Sequence, residues 1–190
     1  MTGLDPPEVV RFIRNNYPDV HIEHPPKNII ALSAHHPLPP TRQFRWCCME
    51  LKDMHGAGRV CLTGVRAGES KSRADNGALY MKQRPNKKVI LNPIFKWDEL
   101  DVWQYIKDRG IEYCSLYDEP GIDRIGCVCC PLAGGRRQRW EAERWPVFKQ
   151  IWLAAFQRML DSRKDKTPRM QRHTPFKTPE EVWDWWTDKH

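Results

Sequence analysis

Polar and apolar residues along the chain alternate with two different periods, and the change of period marks out the elements. Val9, Val10, Phe12 and Ile13 recur at helical spacing, so a helix is expected over Glu8 to Asn16. Pro7 suits its first turn, and Glu8 faces the positive helix end. Val20 to Ile22 reads as a short strand, and Asn28 to Leu32 as a buried turn or helix start. Three prolines between His35 and Thr41 exclude regular structure there. A short helix is expected from Cys48 through Met54, closed by Gly56 and Gly58.

The next two segments are apolar without alternation. Arg59 to Val65 reads as a fully buried strand of the kind found in parallel sheets, and Lys88 to Leu91 as a second. Helical spacing then returns. Asp98 is a natural N-cap with Asp101 in the first turn, Gly110 ends the helix, and Leu100, Val102, Trp103, Tyr105 and Ile106 form its expected buried face. A long helix follows over Arg139 to Ser162, interrupted near Pro146, with Ile151, Ala154, Ala155, Met159 and Leu160 as its core stripe. Arg163 to Lys177 is a basic connector, read as a solvated linker or a nucleic-acid contact. Thr178, Pro179 and Glu181 spell a capping box, after which Trp183 and Trp186 share one helix face.

These elements predict an α/β protein: a three-layer α/β/α sandwich with a mostly parallel sheet, incomplete at the N-terminus, plus C-terminal helices. The expected division is an α/β domain over residues 1–135 and a helical extension over residues 136–190. A chain of 190 residues can bury a core without staples. Its formal charge of +7 favours polyanionic partners, meaning nucleotides, phosphosulfate or nucleic acid. The tryptophans near the C-terminus, Trp140, Trp145, Trp183, Trp185 and Trp186, are expected mainly in burial. With neither a signal peptide nor a membrane-spanning apolar run, the sequence points to the cytoplasm and away from disulfides.

Of seven cysteines, five fall in two groups: Cys47-Cys48, and Cys127-Val128-Cys129-Cys130. Two adjacent thiols and a distant C-x-x-C form a split four-thiolate set that suits an iron-sulfur cluster or a zinc ion. Neighbouring cysteines reach one tetrahedral zinc only with difficulty, whereas each thiolate of a cuboidal cluster binds its own iron, so zinc is the weaker reading. Cys129 is an alternative to Cys130, while Cys61 and Cys114 read as core. Arg42, Arg45, Lys52, Arg136 and Arg137 lie nearby in sequence and would offset the negative charge of bound thiolates.

Gly64-Val65-Arg66-Ala67-Gly68-Glu69-Ser70-x-x-Arg73 follows the first long strand. Two guanidiniums and a hydroxyl beside two glycines suit a phosphate or sulfate, although a charged surface turn has the same composition.

Together these stretches resemble the phosphoadenosine phosphosulfate reductase family, or sulfonucleotide reductases. The resemblance covers Thr2 to Pro131. It is carried by Arg45-Trp46-Cys47-Cys48-x-x-x-Lys52, Thr63-Gly64-Val65-Arg66-x-x-Glu69-Ser70-x-x-Arg73, Asn92-Pro93-Ile94-x-x-Trp97-x-x-x-Asp101-Val102-Trp103, and Leu116-Tyr117-x-x-x-Gly121-Ile122-x-Arg124-Ile125-Gly126-Cys127-x-x-Cys130. It implies a 4Fe-4S cluster on Cys47, Cys48, Cys127 and Cys130, with Lys52 near the cluster. It implies also that Arg66 and Arg73 face the phosphosulfate of an adenine sulfonucleotide, or ATP in related branches, with Gly64, Glu69 and Ser70 in the same loop. A thioredoxin-type reductant is the implied electron source.

Two departures from the family pattern stand out. A Ser-Gly-Gly-x-Asp-Ser phosphate loop is missing, so a second polypeptide supplying that loop is an expected partner. No cysteine follows Cys130 to act as the nucleophile of a reductase. The alternatives are a component of a nucleic-acid sulfur-modification system and a non-catalytic remnant or partner subunit.

Overall fold

A computed structural model of the chain describes residues 1–84, 86–164 and 175–188. The chain divides into two compact units: residues 1–52 with 116–190, and residues 53–115.

The first unit is helical. Its elements are α1 (Pro7–Asn16), α2 (Ile29–Ser33), α3 (Trp46–Leu51), α6 (Gly135–Arg144), α7 (Pro146–Lys164) and α8 (Pro179–Asp188). Helices α2 and α8 both pack along α7, and α6 packs on α7 and α8. The core is aromatic: Trp152 lies 4.6 Å from Trp186 and 5.8 Å from Phe156, ring centre to ring centre. Proline breaks the long helix where expected, because Pro146 has no N–H to continue α6. The core stripe of α7 differs from expectation. Ala155, Met159 and Leu160 are buried, but Ala154 is exposed and Ile151 only half-buried, and Trp152 and Phe156 carry the contact instead. Helix α8 starts as its capping box predicts, with Glu181 N–H donating to Thr178 Oγ1 at 3.2 Å. Trp183 and Trp186 are buried, and Trp186 Nε1 donates to the Pro40 carbonyl at 2.6 Å. That bond fixes the proline-rich segment that leads to the first cysteine pair.

Gly135 is required by this packing. A Cβ there would stand 1.6 Å from the Thr187 carbonyl oxygen, so α6 can approach α8 only with no side chain at that position.

The expected strand at Val20 to Ile22 is absent. Those residues are irregular, and Val20 is half exposed with no neighbouring strand to pair with. The short helix of the first cysteine pair runs Trp46–Leu51, earlier than the expected Cys48 to Met54. Most of the basic connector, residues 165–174, lies outside the described residues.

The second unit holds the sheet, in the order β1 (Val60–Leu62), β3 (Lys88–Leu91), β2 (Leu79–Lys82), with α4 (Lys71–Asn76) and α5 (Glu99–Arg109). Strands β1 and β3 are parallel, with Val60 opposite Val89, and β2 is antiparallel to β3. The protein is α/β, as the pattern predicts, with a small mixed sheet. Strand β2 has no counterpart among the elements expected from the sequence. Nor is β1 fully buried: it is an edge strand, Val60 and Leu62 are 66% and 69% exposed, and its Cys61 is half-buried. Helix α5 has its Asp98/Asp101 capping box and its left-handed Gly110 cap, but no residue of it is buried, and Leu100 is 78% exposed. The expected face is thus only half covered: Val102, Trp103 and Ile106 are half-buried, while Leu100 and Tyr105 are exposed. Among the described residues no helix is long and apolar enough to cross a membrane.

Candidate metal centre and oxyanion loop

Two arrangements carry the chemistry, one in each unit. In the first, Cys47, Cys48, Cys127 and Cys130 all line one cavity of about 470 Å³. Lys52, Arg124 and Arg137 share its walls with the apolar Leu4, Leu51 and Trp152. Helix α3 delivers the first pair. Its Trp46 is buried, donates from Nε1 to the Leu38 carbonyl at 3.1 Å, and stacks on His36 at 4.0 Å. The rotation of α3 is therefore set by the residue just before the thiols.

The second pair is held from three sides. From the N-terminal side, Val128 N–H donates to the Leu4 carbonyl at 2.7 Å, and Thr2 Oγ1 lies 3.5 Å from Cys127 Sγ. From the proline-rich segment, Arg42 donates to the carbonyls of Pro131 and Leu132 at 3.4 and 3.1 Å. From α6 and α7, Gln138, Glu141 and Trp152 grip Val128 and Cys129.

Cys129 does not line the cavity. It is fully buried, and its Sγ donates to the Gln138 carbonyl at 3.5 Å. Cys61 donates to the Gly56 carbonyl at 3.7 Å in the second unit, and Cys114 is buried.

The electrostatics of the cavity are those of thiols short of positive charge. A hydrogen bond with Cys48, burial, and the neighbouring Cys48, Cys130 and Cys127 push the Cys47 thiol far above its ordinary value. Burial pushes Cys130 up as well, against a hydrogen bond from the Leu132 backbone and the nearby Lys52. Lys52 answers them. Burial works to lower its ammonium, but Cys127, which also hydrogen-bonds it, and then Cys48 and Cys130 outweigh burial and hold it above its usual value. Of the other cations expected here, Arg42 serves the loop backbone, and Arg45 and Arg136 do not line the cavity.

No group of three or more His, Cys, Asp or Glu among the described residues converges closely enough to hold a metal ion. The four thiols ring a space instead of meeting at a point. A tetrahedral zinc with bonds of about 2.3 Å needs its sulfurs less than about 4 Å apart, whereas a cluster spreads four thiolates over four irons. In its donor set and its spread, the cavity suits the larger group.

In the second arrangement, β1 and β3 run parallel, so the loops that follow them emerge at the same edge of the sheet. Asn92, buried just after β3, accepts from Thr63 Oγ1 at 2.5 Å and donates to the Gly77 carbonyl at 3.2 Å. Ala67 N–H donates to the Phe95 carbonyl at 2.8 Å. These bonds fasten the Thr63 to Arg73 loop to the Asn92 to Trp97 loop, two stretches the sequence singles out separately. Ser70 caps α4 by accepting from Arg73 N–H at 3.3 Å. Glu69 sits between the guanidiniums: its Oε1 accepts from Arg66 N–H at 3.3 Å and from Arg66 Nε at 3.5 Å, and its Oε2 pairs with Arg73. The loop is thus a pair of arginines on one carboxylate. A Cβ at Gly64 would meet Ile94 Cδ1 in ordinary van der Waals contact at 3.9 Å.

Sequence reasoning missed Gln138, Glu141 and Trp152 as partners of the cysteine loop. Nothing in their spacing signals a contact with main-chain groups some nine to twenty-four positions away.

The chain is similar to several known proteins. An adenosine 5'-phosphosulfate reductase of Oceanobacillus iheyensis is 28% identical over 146 residues, which cover 73% of this chain and 60% of that protein. An uncharacterized protein of Methanocaldococcus jannaschii is 33% identical over 123 residues, 60% of this chain and 25% of its own length. A phosphoadenosine 5'-phosphosulfate reductase of Gloeobacter violaceus is 33% identical over 92 residues, 45% of this chain and 37% of that protein. The chain therefore spans between a quarter and three fifths of these relatives. The phosphoadenosine phosphosulfate reductase domain matches residues 1–133, more than half of the chain, and the protein belongs to that family.

Proposed function

We propose that the protein binds a 4Fe-4S cluster on Cys47, Cys48, Cys127 and Cys130, and an adenylyl sulfate-type nucleotide at Arg66, Ser70 and Arg73, for reductive sulfur transfer. The observation that carries this reading is the ring of four thiols around one cavity with Lys52 among them. When bound, the cluster would supply local positive charge to the thiolates.

The chain's own groups take the remaining roles. Lys52 offsets the negative charge of the four thiolates. Arg66 and Arg73 exchange part of their pairing with Glu69 for the tetrahedral oxyanion of the nucleotide. Gly64 lies in the same loop as these groups. A thioredoxin-type dithiol supplies both electrons in this reading: one thiolate attacks the sulfuryl sulfur, the nucleotide phosphate leaves, and closure of the disulfide releases sulfite. A stretch of backbone amides for the nucleotide phosphates, from this or another polypeptide, completes the site. The setting is the cytoplasm, where thiols stay reduced.

The test is anaerobic binding of adenosine 5'-phosphosulfate, followed by a sulfite assay with thioredoxin. Retention of the nucleotide that Arg66→Ala abolishes is the expected result. Absence of nucleotide affinity together with sulfur incorporation into DNA or RNA would overturn the reading in favour of nucleic-acid modification.

A further inference from the structure

The cysteine loop Cys127–Cys130 is held by groups that lie beyond the residues matched by the family. At two successive positions of that loop, Val128 and Cys129, α6 and α7 make four hydrogen bonds. Trp152 Nε1 donates to the Val128 carbonyl at 3.3 Å, and the Glu141 carboxylate accepts from Cys129 N–H at 2.6 Å. Gln138 Nε2 donates to the Cys129 carbonyl at 3.1 Å, and the Gln138 carbonyl accepts from Cys129 Sγ at 3.5 Å. All three side chains are buried.

Two costs show what these bonds oppose. Cys129 has φ of 59°, a left-handed conformation that costs a residue with a Cβ about 1–2 kcal/mol. Gln138 Oε1 is buried without a partner, so its amide serves the loop while its oxygen goes unsatisfied. The turn at Cys129 is what lets Cys127 and Cys130 line the cavity while Cys129 turns inward between them. Left to its own preferences, this tetrapeptide would relax out of the left-handed turn and carry its two outer thiols with it.

We infer that Glu141, Gln138 and Trp152 form a positioning clamp that sets the Cys127–Cys130 turn, making the C-terminal helices part of the thiol site. Glu141 is its centre. Its other oxygen accepts from Arg137 Nε at 2.8 Å, and Arg137 also donates to the Gly121 carbonyl and stacks over Trp140 at 4.6 Å. The carboxylate is thereby fixed in place and in charge. The clamp rests on the proposed function only for its purpose; its geometry concerns the metal-free polypeptide.

The test uses the full-length, metal-free, reduced protein. Each cysteine is alkylated with N-ethylmaleimide, and its rate is followed by mass spectrometry. Glu141→Ala should raise the rates at Cys127, Cys129 and Cys130 by about tenfold or more, the scale of losing a charge-assisted hydrogen bond at a buried N–H. Cys61 and the buried Cys114, in the other unit, should change less than about twofold, and Cys47 and Cys48, which share the cavity with the loop, less than the loop itself. Glu141→Gln keeps an acceptor oxygen and should restore most of the protection, and Trp152→Phe, which deletes one bond and keeps an aromatic ring in the core, should give a smaller rise largest in the same loop. Unchanged rates at the loop overturn the clamp, and so does a parallel rise at all seven cysteines, which would mark general loosening. Iron release to a chelator from loaded protein gives a second reading, expected to be faster in Glu141→Ala. A protein that takes up no iron, yet shows the loop-confined alkylation, sinks the cluster and leaves the clamp standing.

Discussion

The two sites handle charge in opposite ways. In the helical unit, four thiols share one nearby ammonium, Lys52; a hydrogen bond with Cys48 and then burial leave Cys47 reluctant to ionise, and burial does the same to Cys130. In the sheet unit, two guanidiniums share one carboxylate, Glu69, at a partly exposed turn. The first arrangement gathers four thiols around one ammonium; the second already contains its counter-ion, which competes with any anion that approaches the loop. The scaffolds differ in the same sense. The thiols stand on elements pinned by buried tryptophans, whereas the arginine loop hangs from an edge strand whose Val60 and Leu62 face solvent.

The largest effect expected is at the thiols. Cys48→Ser should abolish iron binding, while Cys61→Ser, whose thiol bonds the Gly56 carbonyl in the other unit, should leave it intact. Iron analysis of the two variants decides it, and equal iron content would remove the contrast between the regions. Next comes packing. Trp152→Ala should cost about 3–5 kcal/mol in urea unfolding, the usual loss for a buried large aromatic. The matched change in the other unit, Leu100→Ala, should stay within about 0.5 kcal/mol, because that side chain is 78% exposed.

At the arginine loop the effects are smaller and of both signs. Arg66→Ala should weaken nucleotide binding by about 10- to 100-fold, on the scale of a hydrogen bond to a charged group. Glu69→Gln removes the internal competitor, so inorganic sulfate should bind about twofold to fivefold more tightly, in keeping with the modest worth of a partly exposed ion pair. Titration calorimetry reads both. Weaker sulfate binding in Glu69→Gln would mean that the carboxylate holds the arginines in place for the anion.

What was legible in the sequence divides along physical lines. Signals that act within a few residues survived folding: the Asp98/Asp101 and Thr178/Glu181 caps, the Gly110 terminator, the break at Pro146, and the existence of strands after Arg59 and from Lys88. Signals that depend on what lies opposite did not. A continuous apolar run looks alike at the edge and the centre of a sheet, so β1 was expected to be buried, and the apolar face of α5, expected to be buried, is only half covered. Trp152 and Phe156 share a face that the stripe through Ala154 misplaces, because helical periodicity gives a face only to within about one position. At the site, the cysteine pairs were readable because thiols are scarce and their spacing is distinctive. The grip of Gln138, Glu141 and Trp152 on the loop was not, since main-chain carbonyls and amides leave no mark in a sequence. Gln138 and Glu141 look, in one dimension, like ordinary polar helix residues.

The measurement that tests the central claim most directly is anaerobic purification followed by iron, sulfide and zinc analysis with a visible absorption spectrum. The thiol cavity predicts about four irons and four sulfides per chain, as a 4Fe-4S cluster on four cysteines requires. One zinc per chain, or no metal, would contradict it and leave the cysteines as packing and structural groups.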